Sequence, residues 1–452
     1  MLAIDLNSSI AQATGHGISR EDIASTGGRI AGILADLRAG GRWKGWVDLP
    51  LDTEQAEAAA RFASGLPREI TDAVILGIGG SSLGPLAIHH AARHPFLGPG
   101  RRMHFLDNSD PDTVGAILET LDPAATLFVA ITKSGSTAET ASQLMIAWDR
   151  AERGLGARAR DHFVFVTDPE RGDLRRLARS LDVPSFPVPT EVGGRFSVLS
   201  AVGLVPAAIA GVDPLALLEG ARRVRRACLE SDILENPAAL LAAVAWLLDT
   251  RHDRHVHVVL TYSDRLAPVG AWFRQIWAES LGKRRASGPP AGPTPVDARG
   301  ATDQHSLLQL LVQGPPDKLV IFLDVRSRRA VTVPRIFEDL PSFGYLGGQR
   351  LADLIASQRR ATEMSLALAG TPSMSLTVDD ASPGSLGALF YLLEVSTAVA
   401  GSLYEVNPYD QPGVEEGKEL ACGLLGRKGF EARRTEVERF DAARRPDLVI
   451  RI

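Results

Sequence analysis

AVILGIGGSSLGP, residues 73–85, decides how the chain is to be read. The apolar run Ala73–Leu76 has the length of a buried strand, and it breaks into glycines and serines before a proline-containing helical stretch. A glycine turn between strand and helix can cradle a dinucleotide pyrophosphate or a single phosphate. Spacing separates the two. A dinucleotide fingerprint needs G-x-G-x-x-G, whereas here the glycines are Gly77, Gly79, Gly80 and Gly84, and Ser82 occupies the sixth position. No lysine follows Gly84, so the triphosphate loop G-x-x-x-x-G-K-[ST] is missing as well. A turn whose backbone N–H groups and Ser81 and Ser82 hydroxyls face an anion fits these letters, and so does a plain turn with capping serines.

Working outward, apolar strand candidates alternate with amphipathic helical stretches, the pattern of parallel α/β layers. The first half offers Ala73–Leu76, Met103–Leu106, Leu127–Ile131, Phe163–Val166 and a weak Ser185–Val188. A second series, Val256–Leu260, Leu319–Leu323 and Ser375–Val378, is separated by helical stretches such as Leu240–Leu248, Leu351–Ala369 and Leu386–Leu403. The fold class expected is α/β, with two doubly wound parallel-sheet domains of similar plan in one chain. Their boundary falls at the Gly211–Pro214 turn, giving a helical N-terminal segment over 1–55, domains over 56–210 and 211–425, and a C-terminal arm over 426–452. The Pro/Gly-rich stretch 287–303 reads as a long functional loop rather than a linker.

Composition narrows the function. The 452 residues carry a net charge of −5 without a long basic block, which argues against nucleic-acid or membrane-surface binding. Cys228 and Cys422 stand far apart, so neither a disulfide framework nor a zinc site is indicated. The N-terminus lacks the form of a signal peptide, and no apolar run of about twenty residues is apparent, so a soluble, cytoplasmic protein is expected.

Five further stretches carry chemistry. TKSGSTAET, 132–140, crowds the hydroxyls of Thr132, Ser134, Ser136 and Thr137 and the Lys133 ammonium round Gly135, where a helix should begin. That density favours a phosphate monoester over the alternative, a capping box from Ser136 to Glu139. VGGRFSVLSAVGL, 192–204, sets Arg195 behind two glycines, where a permanent cation can approach a developing oxyanion. In GAWFRQIWAESLGKR, 270–284, Gln275, Glu279 and Lys283 share one helix face. Glu279 there is a candidate general base beside apolar Trp272 and Ile276, although the segment alone reads as an i, i+4 Glu279–Lys283 surface pair. ATDQHSLLQLL, 301–311, contributes the lone His305, which has no second histidine at metal-ligand spacing, and NPYDQPGVEEGKEL, 407–420, contributes Gln411 and Lys418. Taken alone, the lone histidine reads as structural and the second stretch as an ordinary exposed turn.

In that order, GIGGSSLGP, TKSGSTAET, VGGRFSVLSAVG, the Q-x-x-x-E-S-x-G-K run of 275–283, DQHS and YDQPGVEEGK resemble the phosphoglucose isomerase family over about residues 70–425, in a compact bacterial form. Thr190 departs from the acidic residue or asparagine usual there, outside the catalytic set. The resemblance implies two sugar-isomerase (SIS) domains. It also implies reversible interconversion of glucose 6-phosphate and fructose 6-phosphate, in glycolysis and gluconeogenesis, by ring opening and 1,2 proton transfer through a cis-enediol(ate). By resemblance Glu279 is the base, Arg195 stabilises the intermediate, and His305 and Lys418 assist ring opening. Gly80, Ser81 and Thr132, Lys133, Ser134, Gly135, Ser136 and Thr137 hold the phosphate end, while Gln275 and Gln411 orient the sugar. The resemblance further implies no metal, no cofactor, and a homodimer whose active site takes His305 from the partner chain. Two alternatives remain open at this point: an isomerase that also accepts mannose 6-phosphate, and a non-catalytic sugar-phosphate sensor. The glycine spacing disfavours a nicotinamide-dependent dehydrogenase.

Overall fold

The computed structural model describes residues 2–93 and 100–450. Among these residues ten strands form: β1 (Leu2–Asp5), β2 (Asp72–Leu76), β3 (Arg102–Leu106), β4 (Thr126–Ile131), β5 (Phe163–Thr167), β6 (Ser185–Pro187), β7 (Val256–Thr261), β8 (Thr294–Arg299), β9 (Lys318–Val325) and β10 (Ser373–Val378). They make two five-stranded sheets, in the orders β3-β2-β4-β5-β6 and β1-β10-β9-β7-β8. The first is parallel throughout. The second is parallel except for β1, which runs antiparallel along β10. Counted along the chain, both place the second parallel strand outside the first and the third on the first strand's other side, so the two units share one plan. In such a sheet the loops leaving the first and third strands diverge to opposite faces, and the crevice between them opens at the C-terminal edge.

Strands β2, β4, β5 and β9 are buried over their whole lengths, which is why each stands out as an apolar run. Between the sheets lie the helices Ala201–Ile209, Pro214–Cys228, Pro237–His252, Ala267–Leu281 and Pro383–Leu403, whose side chains join one continuous core. Pro383–Leu403 corrects one expectation, because by length and composition this helix is able to cross a membrane. It is instead the central core helix, buried on nearly every side, with Trp272 edge-on against Phe390.

Two further expectations need correction. The N-terminal segment is not wholly helical, since β1 extends the second sheet. The stretch 287–303 is not all loop either, since Thr294–Arg299 forms β8, parallel to β7. Both are edge strands with partial burial, and β8 includes Pro295, which an edge position tolerates. The C-terminal arm contains the helix Glu431–Ala442, which packs on Glu415–Leu424.

Candidate active site

The first sheet's crevice lies between β2 and β4, and the glycine turn and the hydroxyl-rich loop both leave from it. The turn Gly79–Ser81 packs against Gly194–Phe196 so closely that a side chain on Gly80 would meet the Gly194 carbonyl oxygen at 2.5 Å. Any larger residue at Gly80 would push Arg195 away from its place. The Ser81 hydroxyl makes no hydrogen bond among the described residues.

Beside it, Gly135 adopts φ +68° and lies so near the backbone nitrogens of Asp173 and Leu174 that a Cβ would sit 2.9 Å from each. That tight turn gathers the hydroxyls. Thr132 Oγ1 lies 3.1 Å from Thr137 Oγ1 and 3.4 Å from Ser134 Oγ, and Ser136 Oγ donates to Ser134 Oγ at 3.3 Å. The helix Ala138–Leu155 begins here with Thr137 at its N-cap and no side-chain cap hydrogen bond, so the alternative Ser136–Glu139 capping box is not formed. Hydroxyls bonded mainly to one another, at a helix start with free N–H groups, can accept a phosphate without breaking a structural contact.

Lys133 is placed differently from its neighbours. Its ammonium donates to the carbonyls of Thr190 and Val192, both at 2.8 Å, and lies 5.0 Å from the centre of the Trp43 ring. Burial lowers its pKa, against the pull of Asp168 and Glu191. Lys133 thus ties the hydroxyl loop to the segment that leads into Arg195.

Arg195 is 5% exposed and held by four hydrogen bonds, which leave one Nη1 N–H open. Nε donates to Ser280 Oγ at 2.8 Å, Nη1 to Gln411 Oε1 at 2.9 Å, and Nη2 to the carbonyls of Pro408 and Asp410 at 2.5 and 2.7 Å. Desolvation lowers its pKa, while Glu279 and Asp410 oppose that shift. Nη1 also stands 3.6 Å from Glu279 Oε2. The Glu279 carboxylate is half-buried on the helix Ala267–Leu281 and accepts from Gln275 Nε2 at 3.1 Å. The Oε1 of Gln275 is buried without a partner among the described residues.

The surface pair Glu279–Lys283 does not exist. Lys283 Nζ reaches instead to Asp410, at 2.6 Å to its carbonyl and 2.7 Å to its carboxylate, and to the Asn407 carbonyl. Ser280 and Lys283 were not among the expected site residues, although both stand inside the quoted E-S-x-G-K run. They hold Arg195 and the 407–411 loop against the helix that carries Glu279.

Two expected residues stay outside this cluster. Lys418 is exposed on the helix Glu415–Leu424 and pairs with Glu415 at 2.8 Å. His305 is exposed and follows the C-terminal end of β8, with no hydrogen bond or ion pair among the described residues. The helix Ala267–Leu281 runs back along β7, and Trp277 Nε1 near its end donates to His257 Nδ1 near the start of that strand. Glu279 therefore lies toward the N-terminal edge of the second sheet, and His305 lies past its C-terminal edge.

Against known proteins, the model for phosphoglucose isomerase matches residues 55–330 and 354–444. The chain is 44% identical over 398 residues to a glucose-6-phosphate isomerase of Rubrobacter xylanophilus, covering 86% of this chain and 90% of that one. It is 41% identical over 389 residues to a glucose-6-phosphate isomerase of Thermus thermophilus, covering 86% and 91%. A crystal structure of a hypothetical protein from Thermus thermophilus superposes with a TM-score of 0.86 at 38% identity, over 94% of this chain and all of that one. That of a glucose-6-phosphate isomerase from Chlamydia trachomatis shares the fold, with a TM-score of 0.82 at 24% identity over 96% and 91%. The chain belongs to the phosphoglucose isomerase family.

Proposed function

We propose that Glu279 is the general base of the reaction this chain catalyses, the reversible isomerisation of glucose 6-phosphate and fructose 6-phosphate. The observation that carries the assignment is the Arg195–Glu279 approach of 3.6 Å beside the hydroxyl loop. A 1,2 proton shift needs one carboxylate within reach of both carbons and a fixed cation near the enediolate oxygens. Glu279 takes the proton from one carbon and returns it to the other, while Arg195 stabilises the charge on the intermediate's oxygen. The phosphate rests on the hydroxyls of Ser81, Ser134, Ser136 and Thr137, with Gly80, Thr132 and Gly135 shaping the loops beneath it. Gln275, whose Oε1 has no partner among the described residues, accepts a sugar hydroxyl, and Gln411 orients the other side. Lys133 contributes by holding the loop.

Ring opening falls to His305 and Lys418. The separation of His305 from Glu279 supports its supply by a second copy, in a cytoplasmic homodimer with shared active sites. The exposed Ile336, Phe337, Phe343 and Tyr345 of the second unit support such an interface. Lys418 lies seven residues after Gln411, which accepts from Arg195 in the cluster, and this nearness along the chain supports its part at the cleft. The test is turnover of fructose 6-phosphate by the purified protein, read through a coupled dehydrogenase in EDTA, with mannose 6-phosphate in parallel. Comparable turnover of both sugars would replace this reading with a dual-specificity isomerase, and binding without turnover would replace it with a sensor.

A further inference from the structure

The second sheet repeats the plan of the first, so it too has a crevice at its C-terminal edge, between the loops that leave β7 and β9. A cavity of about 470 Å³ occupies that position. It opens between the Ser263–Arg265 loop, the residues that follow Val325 of β9, and the first turns of the helix Leu351–Leu368. It lies at the opposite edge of the sheet from Glu279.

The cavity's chemistry is specific. Arg265, Arg328 and Arg329 line it with one lining carboxylate, Asp264, which already faces Arg299 at 3.6 Å, while Asp380 outside the lining also acts on Arg265. Arg265 is anchored by Nε on the Ala91 carbonyl at 2.7 Å and by Nη2 on the Ala381 carbonyl at 3.3 Å. Arg328 is anchored on the Tyr262 carbonyl at 2.8 Å and on Asp324, which it shares with Arg359. Each leaves its Nη1 without a hydrogen bond among the described residues, and Arg329 has no partner at all among them. Ser263, only 5% exposed, has an unpaired hydroxyl on the same wall, again among the described residues. The helix Leu351–Leu368 adds apolar Leu351, Leu354 and Ile355 to the lining, together with the polar Gln358.

We propose that this cavity is a second ligand site, for a small organic phosphate that sets its dianionic group among Arg265, Arg328 and Arg329 and its apolar body against Leu351, Leu354 and Ile355. Anchored guanidinium groups bind phosphate oxygens with little loss of side-chain freedom, and the volume suits one small molecule. The excess of cations matches a phosphate monoester, which carries close to two negative charges at neutral pH, better than it matches a monocarboxylate.

Phenyl phosphate is the probe, titrated by calorimetry into the full-length protein held at saturating fructose 6-phosphate. One binding event is expected to remain under those conditions and to survive the double substitution Ser136→Ala/Thr137→Ala in the first site. Arg329→Ala is expected to weaken that event by about tenfold or more, as loss of a charge-assisted contact does, while kcat and KM for fructose 6-phosphate stay as they were. Arg329→Lys is expected to fall between the two. An event abolished by fructose 6-phosphate, one indifferent to Arg329→Ala, or no event at all would overturn the second site.

Discussion

The first sheet ends in two opposite ways. At its N-terminal edge the charges are matched: the buried Asp72 carboxylate accepts from Arg102 at 2.8 and 2.6 Å, from His104 at 2.8 Å and from Thr71 at 2.8 Å. At its C-terminal edge the Ser81 hydroxyl has no partner among the described residues, and Ser134, Ser136 and Thr137 bond within their own loop. One edge is satisfied by its own side chains, whereas the other leaves its polar groups for something outside the chain. Donors left open in this way reduce stability and allow binding.

Glu279→Gln strikes the open edge hardest. It keeps shape and the Gln275 contact but removes the proposed base, so kcat is expected to fall by a factor of about 10² to 10⁴ with KM little changed. Steady-state kinetics with fructose 6-phosphate checks this. A sharp rise in KM at constant kcat would make Glu279 a binding residue and the open edge a holding site only.

The distance between Glu279 and His305 sets the next test. Glu279→Gln and His305→Ala proteins, each nearly inactive, are denatured, mixed and refolded together. If His305 serves the partner's site, each mixed dimer regains one intact site, and total activity returns to about a quarter of wild type. If both residues serve the same chain's site, the mixture stays as inactive as its parents. Lys418→Met is expected to cost less, about tenfold to a hundredfold in kcat, because the part proposed for it is ring opening and not the proton shift. With an already opened substrate analogue that penalty should vanish.

How much of this was legible in the sequence follows from where each partner lies. β2 and β4 were readable because buried parallel strands are continuous apolar runs, whereas β1 and β8 bury less and carry charged or proline residues at the sheet's edges. The two glycine and hydroxyl loops were readable because each is local. Glu279 was ambiguous because its nearest cation along the helix is Lys283, while the cation it faces is Arg195, brought in by the tertiary fold. The place of the Lys133 ammonium was hidden for the same reason: the carbonyls of Thr190 and Val192 that hold it are remote in sequence. Local spacing identifies the residues of a cradle, but only the fold decides which charges are already occupied.

The smallest expected effect tests the closed edge. Burial works to raise the Asp72 pKa, but the hydrogen bonds from Arg102, His104 and Thr71 outweigh it and hold the carboxyl at about 2, against 3.8 for a free aspartate. A pKa depressed in the folded state adds stability that is complete above about pH 4 and is lost as the pH falls through about 2. Arg102 is exposed, so solvent screening discounts the pair, and Asp72→Asn is expected to cost about 1 to 2 kcal/mol at pH 7. Urea unfolding at pH 7 and pH 3 reads the result. The gap between wild type and variant should narrow at pH 3, while isomerase activity at pH 7 stays intact because Asp72 lies a full strand length from the hydroxyl loop. An equal gap at both pH values would mean that packing rather than charge closes this edge, and a loss of activity would mean that the two edges are coupled through β2.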